Sequence, residues 1–141
     1  MSDQPDGYSD YVIIHIINST MRAVISIENA NIKHGKFHVN GDKDSELSTT
    51  DITHMLIPPN SDLDISSCGR SSDLYGTEGS IDLYDGDTKI AKLYWNDPRV
   101  GPNDFQIWDY RMGGQYMVTL GVWNREGGSL GRVDLEVVMK G

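Results

Sequence analysis

Apolar and polar positions alternate with a period of two along most of this chain. Met21, Ala23, Ile25 and Ile27 alternate with Arg22, Ser26 and Glu28, and Val133, Leu135, Val137 and Met139 with Arg132, Asp134 and Glu136. Successive side chains of an extended backbone point to opposite faces, so each segment predicts a strand with one face in a core and the other in water. Residues 80–84 and 89–95 flank Asp85-Gly86-Asp87-Thr88, where Asp-Gly supplies the positive φ of a tight hairpin turn. A second hairpin is expected between residues 115–123 and 130–139 through Asn124-Arg125-Glu126-Gly127-Gly128. Further strands are expected at residues 11–17, 32–39, 63–66 and 105–108, and one short helix at residues 51–56, capped by Thr50 or Asp51 and stopped by Pro58-Pro59. Eight or nine short strands separated by turn signals predict an all-β, antiparallel sandwich or barrel.

A length of 141 residues fits a single domain, expected over residues 11–141 behind a polar, flexible N-terminal segment at residues 1–10. That start has neither a basic cluster nor an apolar stretch, so no secretory signal is visible; cytoplasmic synthesis with release by another route is the expectation. The longest apolar run, residues 11–17, is interrupted by His15 and is far short of the ~20 residues a spanning helix needs. Cys68 is the only cysteine, which excludes an internal disulfide and fits synthesis in a reducing compartment. Twelve basic against 21 acidic side chains give a formal charge of −9. Such a balance opposes nucleic acid and nonspecific adhesion to anionic lipid, so a membrane target would carry zwitterionic or neutral head groups.

Candidate metal ligands do not converge. His34 and His38 are four apart, but on a strand that spacing spans about 13 Å, too far for one shared ion. Asp42, Asp44 and Glu46 alternate like the start of a calcium loop, yet the positions of its turn glycine and bidentate glutamate hold Leu47 and Thr53, so a solvated turn is the better reading. No nucleophile elbow, metalloprotease motif or phosphate-cradling glycine loop occurs, and Cys68 lacks a cysteine-protease signature; the chain is expected not to be an enzyme and to need no cofactor. The aromatics carry more. Tyr94-Trp95 runs into the loop Asn96-Asp97-Pro98-Arg99-Val100-Gly101-Pro102, and Tyr75 sits in Asp73-Leu74-Tyr75-Gly76-Thr77. Rings with a polar tip suit a lipid–water interface and attract quaternary ammonium groups; the same rings would also fill a sandwich core.

Three segments in register extend this reading: Lys33-His34-Gly35-Lys36-Phe37-His38-Val39-Asn40-Gly41-Asp42-Lys43-Asp44, then Ser67-Cys68-Gly69-Arg70-Ser71, then Leu93-Tyr94-Trp95-Asn96-Asp97-Pro98. Over nearly the whole chain they resemble the aegerolysins, small acidic β-sandwich proteins with an actinoporin-like fold. The resemblance implies a non-enzymatic protein that binds a membrane sphingolipid, sphingomyelin or ceramide phosphoethanolamine, with or without sterol. It further implies the recognition half of a two-component pore-forming cytolysin with a larger perforin-like (MACPF) partner, with insecticidal members among its relatives. At aligned positions it points to Tyr11, His34, Tyr75, Trp95 and Arg99 as lipid-binding residues on one end of the sandwich, with Arg99 placed for a lipid phosphate. His34 and Tyr11 stand where tryptophans are usual, Tyr75 replaces an acidic residue, and Asn96-Asp97-Pro98-Arg99 replaces Asp-Cys-Pro-Trp. The loss of these ring platforms for choline makes a choline-free target an open option. The alternative is a soluble lectin-like sandwich, because aromatic platforms beside Asp and Asn also suit sugar rings.

Overall fold

In the computed structural model, residues 6–140 are described. After a 3-10 turn, Asp6–Ser9, come β1 (Tyr11–Asn18), β2 (Ile25–His34), β3 (Lys36–Val39), β4 (Asp42–Leu47), α1 (Thr49–Ile52), β5 (Leu56–Ile57), β6 (Ser61–Cys68), β7 (Thr77–Asp85), β8 (Thr88–Asp97), β9 (Asp104–Trp108), β10 (Tyr116–Leu120) and β11 (Gly131–Met139). They form two sheets, ordered β10-β11-β1-β6-β3-β4 and β5-β2-β7-β8-β9. The expected all-β sandwich is present, and the expected β7–β8 hairpin turns at Gly86, with φ +58°. The strands pair antiparallel except β1 with β11, which run parallel in register from Val12 opposite Gly131 to Asn18 opposite Val137.

Alternation builds the core. Val12, Ile14 and Ile16 of β1 are fully buried, as are Ile25 and Ile27 of β2 and Val133, Leu135 and Val137 of β11. Each such aliphatic side chain is worth about 1.5–3 kcal/mol relative to exposure, and together they hold the sheets face to face.

Four local expectations are corrected. Met21 is 88% exposed because residues 21–24 precede β2 in a turn, where Asn18 Nδ2 donates to Ala23 O (2.8 Å) and Ala23 N donates to Thr20 Oγ1 (3.2 Å). Residues 32–39 are two strands in different sheets. Gly35, at φ +86°, makes the corner between them, and a Cβ there would lie 2.5 Å from Cys68 O. The acidic stretch read as a solvated turn is the edge strand β4, paired with β3. The helix begins earlier than expected, because Ser48 Oγ accepts from Asp51 N (3.0 Å) while Asp51 Oδ2 accepts from Ser48 N (2.8 Å), a reciprocal cap.

The N-terminal segment also differs from its expected form from Asp6 onward; residues 1–5 lie outside the described residues. Tyr8 is buried, donating from its hydroxyl to Asp44 Oδ1 (2.9 Å) and accepting from Lys36 Nζ (2.8 Å). Asp10 is buried as well, and its carbonyl accepts from Gly69 N (2.9 Å).

Candidate functional site

The end of the sandwich where β1 begins and β6 ends carries three segments: the 3-10 turn, the loop from Gly69 to Gly76, and the loop after β8. Between the last two opens a cleft of about 350 Å³, lined by His34, Tyr75, Glu78, Asn96, Arg99 and neighbouring loop residues. The imidazole of His34 stacks on the ring of Tyr75, with centroids 4.1 Å apart and 16° between the planes. Tyr75 is 54% exposed, and the rim residues Leu74 and Val100 are 85% and 89% exposed.

The floor is built tightly. Gly76 passes so close to β8 that a Cβ there would sit 1.9 Å from Asp97 O and 3.2 Å from Asp10 Cβ, so no larger residue fits without moving the strand. Arg99 Nε pairs with Asp10 Oδ2 at 2.9 Å, and its Nη1 donates to Asp73 O at 3.0 Å, tying the N-terminal segment to both loops. Beneath, Trp95 Nε1 donates to Thr77 Oγ1 (3.0 Å), and Thr77 and Ser67 hydroxyls meet at 2.6 Å. Ser67 Oγ in turn donates to Lys36 O (2.8 Å). Ser67's proton being used there, Thr77 supplies the proton between the two hydroxyls, and the relay links the sheets across their interface.

Electrostatics at this end are set by burial. Asp97 is fully buried, and desolvation lifts its carboxyl to about 7 against the backbone hydrogen bond from Leu130 N, with the Asp10 charge adding to the rise. Asp10 is also raised by desolvation, which Arg99 opposes. Burial pushes the Cys68 thiol up, which keeps it protonated.

Three of the five residues singled out from the sequence, His34, Tyr75 and Arg99, meet in the cleft. Arg99 is held by a carboxylate and a carbonyl of its own chain rather than presented alone to a phosphate. Tyr11 lies at the same end but around its edge, half-buried on β1 with Lys43 Nζ 4.3 Å above its ring, and it does not line this cleft. Trp95 is corrected outright: it is fully buried, edge-on to Phe37 with centroids 5.8 Å apart. The period-two rule allows only one of two adjacent residues to face out, and on β8 that is Tyr94. Tyr94 stacks on Trp108 at 4.6 Å and 12°, and its hydroxyl donates to Glu78, which also lines the cleft. Sequence reasoning missed Tyr94, Trp108 and Glu78 as one outward surface; the phase of Leu93 and Trp95, both in the core register, was the available signal.

His34 and His38 end on different sheets, and among the described residues no group of three His, Cys, Asp or Glu side chains is arranged to hold a metal ion. No helix of the described chain is long and apolar enough to cross a membrane.

Comparison with known proteins places this geometry. A family model described as Aegerolysin matches residues 9–140. Asp-hemolysin of Aspergillus fumigatus is 40% identical over 95% of this chain and 96% of its own length. Ostreolysin A6 of Pleurotus ostreatus is 31% identical, covering 96% of this chain and 99% of that protein. The crystal structure of IP-1A from Alcaligenes faecalis superimposes with a TM-score of 0.88 at 32% identity, over 96% of this chain and 95% of that one.

Proposed function

Because this chain belongs to the aegerolysin family, we propose that it is a non-enzymatic protein that reads a sphingolipid head group at a target-cell membrane. In this reading it is the recognition component of a two-component cytolysin and recruits a perforin-like partner that makes the pore. The observation that supports it best is the rim of the cleft: Leu74, Tyr75 and Val100 project apolar surface into solvent around the His34–Tyr75 stack. Three exposed apolar groups on two adjacent loops are suited to the interfacial layer of a bilayer, where each buried aliphatic side chain gains about 1.5–3 kcal/mol. Behind them, the ring faces of Tyr75 and His34 and the carboxylate of Glu78 offer cation-attracting surface to a choline or ethanolamine group. The charge of −9 works against anionic lipid, which leaves specificity to the head group.

Among the described residues, no strand is free to leave the sandwich for a pore. A spanning strand needs ~9–11 alternating residues able to leave the domain, and the longest candidates place their apolar face in the core. β11 shows the conflict: freeing it would expose Val133, Leu135 and Val137 and strip β1 of its parallel neighbour. Insects, rich in ceramide phosphoethanolamine, are the target to test first.

Vesicle flotation tests the reading. Vesicles of sphingomyelin with sterol and of ceramide phosphoethanolamine with sterol are compared with phosphatidylcholine and phosphatidylserine vesicles. Binding to at least one sphingolipid mixture is expected, without dye release by this protein alone. Equal binding to all four mixtures would sink the sphingolipid assignment, and dye release without a partner would sink the two-component assignment.

A further inference from the structure

The outer face of the six-stranded sheet carries a second, larger groove, about 500 Å³, between β1 and the β3–β4 hairpin. Ile13, Ser66 and His38 form one row across its base, since Ile13 pairs with Ser66 and Ser66 with His38. Tyr11 walls one side, and Asp42, Lys43 and Asp44 the other. None of these residues lines the His34–Tyr75 cleft.

His38 is the unusual group. The residue is only 4% exposed, and Nδ1 is 2.8 Å from Val39 O. A carbonyl can only accept, so Nδ1 carries the proton and Nε2 presents a lone pair. That Nε2 is buried and has no hydrogen-bond partner among the described residues. Burial, together with the charges of Lys43 and Lys36, holds the imidazole below its ordinary value, with Val39 O and Asp42 opposing, so the ring stays neutral. A buried acceptor without a donor carries an uncompensated desolvation penalty, which an incoming donor would relieve.

The other polar groups narrow the class of donor. Ser66 Oγ gives its proton to Asn40 Oδ1 (2.6 Å) and so also offers a lone pair. Asp42 accepts from Asp44 N (3.1 Å) and Ser45 Oγ (2.7 Å), and Asp44 accepts from the Tyr8 hydroxyl (2.9 Å), each keeping acceptor capacity. Lys43 Nζ donates to Tyr8 O (2.7 Å) and lies over the Tyr11 ring. The groove therefore has a surplus of acceptors, while the ammonium groups of Lys36 and Lys43 disfavour a metal ion or a cationic ligand. Neutral hydroxyl groups are the donors left, and a half-buried tyrosine beside them suits the apolar face of a sugar ring.

We propose that this groove is a second binding site, for a neutral hexosyl group, in which a sugar hydroxyl donates to His38 Nε2. It is independent of the sphingolipid reading and of the cleft that carries it. The sugar can come from a soluble glycan or from the head of a neutral glycolipid. The test is a ¹H–¹⁵N titration of the intact protein with methyl glucoside, galactoside and mannoside, and separately with phosphatidylcholine vesicles with and without hexosyl diacylglycerol, which carries the sugar without a ceramide. One sugar is expected to shift the amides of Tyr11, Gly41 and Lys43 and the ring nitrogen Nε2 of His38, leaving His34 and Tyr75 unmoved. Response to the methyl hexosides marks a soluble glycan as a sufficient ligand; response only to hexosyl diacylglycerol vesicles marks the lipid-anchored sugar. His38→Phe, which keeps a ring but removes the acceptor, is expected to weaken binding about tenfold; His38→Gln, which restores an acceptor, is expected to recover most of it. No shift with any sugar or hexosyl diacylglycerol vesicle, shifts at His34 and Tyr75 instead, or wild-type affinity in a folded His38→Phe protein would each overturn the proposal. The wild-type titration decides the matter if the variants do not fold.

Discussion

Arg99 Nε sits 2.9 Å from Oδ2 of Asp10, a carboxylate side chain only 5% exposed, while Arg99 itself keeps 28% of its side chain in solvent. The pair is therefore part of the scaffold as much as part of the cleft. Removing one partner leaves a buried charge uncompensated, so Arg99→Ala should cost about 1–3 kcal/mol in urea unfolding, less than a fully buried pair because of its exposure. Adding Asp10→Asn should recover part of that loss. An unchanged midpoint in Arg99→Ala would show that the pair contributes nothing.

Tyr75→Ala should separate binding from stability in the opposite way. The ring is more than half exposed and its main contact is His34. Loss of that stacking should cost about 0.5–1.5 kcal/mol of stability, whereas flotation with sphingolipid vesicles should fall sharply. Val100→Ser should lower flotation with almost no change in melting temperature. Full binding by the double variant would place the membrane contact elsewhere on the molecule.

Of the three tryptophans, Trp95 is fully buried and Trp108 is 41% exposed. A Trp108→Phe, Trp123→Phe protein keeps only Trp95, and its emission should stay blue and unshifted when sphingolipid vesicles are added. A shift would mean that the sandwich end opens on the membrane. Trp95→Ala should destabilise by about 3–5 kcal/mol through the cavity and the lost bond to Thr77.

Stability should fall as pH rises from about 4 to about 7. Asp97 titrates near 7 in the folded protein, raised chiefly by desolvation, so over that window the native state holds a proton that the unfolded chain has released. His15 adds a loss of the same sign at higher pH. Its hydrogen bonds to Asp62 (2.6 Å) and Asp134 (2.8 Å) raise its value above the ordinary 6.5, so its contribution is complete below 6.5 and disappears as pH passes through the raised value. Glu46, lowered by its hydrogen bond to Arg70, acts the other way, and its contribution is lost only as pH falls below the ordinary glutamate range. Asp97→Asn should flatten the pH 4–7 slope of the unfolding free energy; an undiminished slope would assign it to another group.

The strands that face a core on one side were legible because burial writes a period of two into the sequence. Residues 25–28 and 132–139 show it plainly, and Asp85-Gly86 marks its hairpin. β4 was not legible, since Asp42-Lys43-Asp44-Ser45-Glu46-Leu47 lies on a sheet edge where charged residues guard against stray pairing and no apolar face is needed. The corner at Gly35 and the parallel neighbours β1 and β11 depend on partners far away in the chain, and no local pattern records them. The cleft was half legible: aligned positions brought His34, Tyr75 and Arg99 together, but the restraint on Arg99 comes from Asp10, a residue that local sequence gave no reason to connect with it.

The parallel seam between β1 and β11 has a consequence in time. His15 and Asp134, which touch across it, are separated by 119 positions in the chain. A nascent polypeptide carrying β1 can acquire β6 early, but the other edge of β1 stays unsatisfied until Gly131–Met139 has left the ribosome. Contacts of such sequence separation make folding slow, in the millisecond-to-second range typical of non-local β topologies. Until then an apolar, unpaired strand edge is open to other chains. Truncation or premature termination before Leu130 should therefore yield an aggregating fragment rather than a smaller binding module.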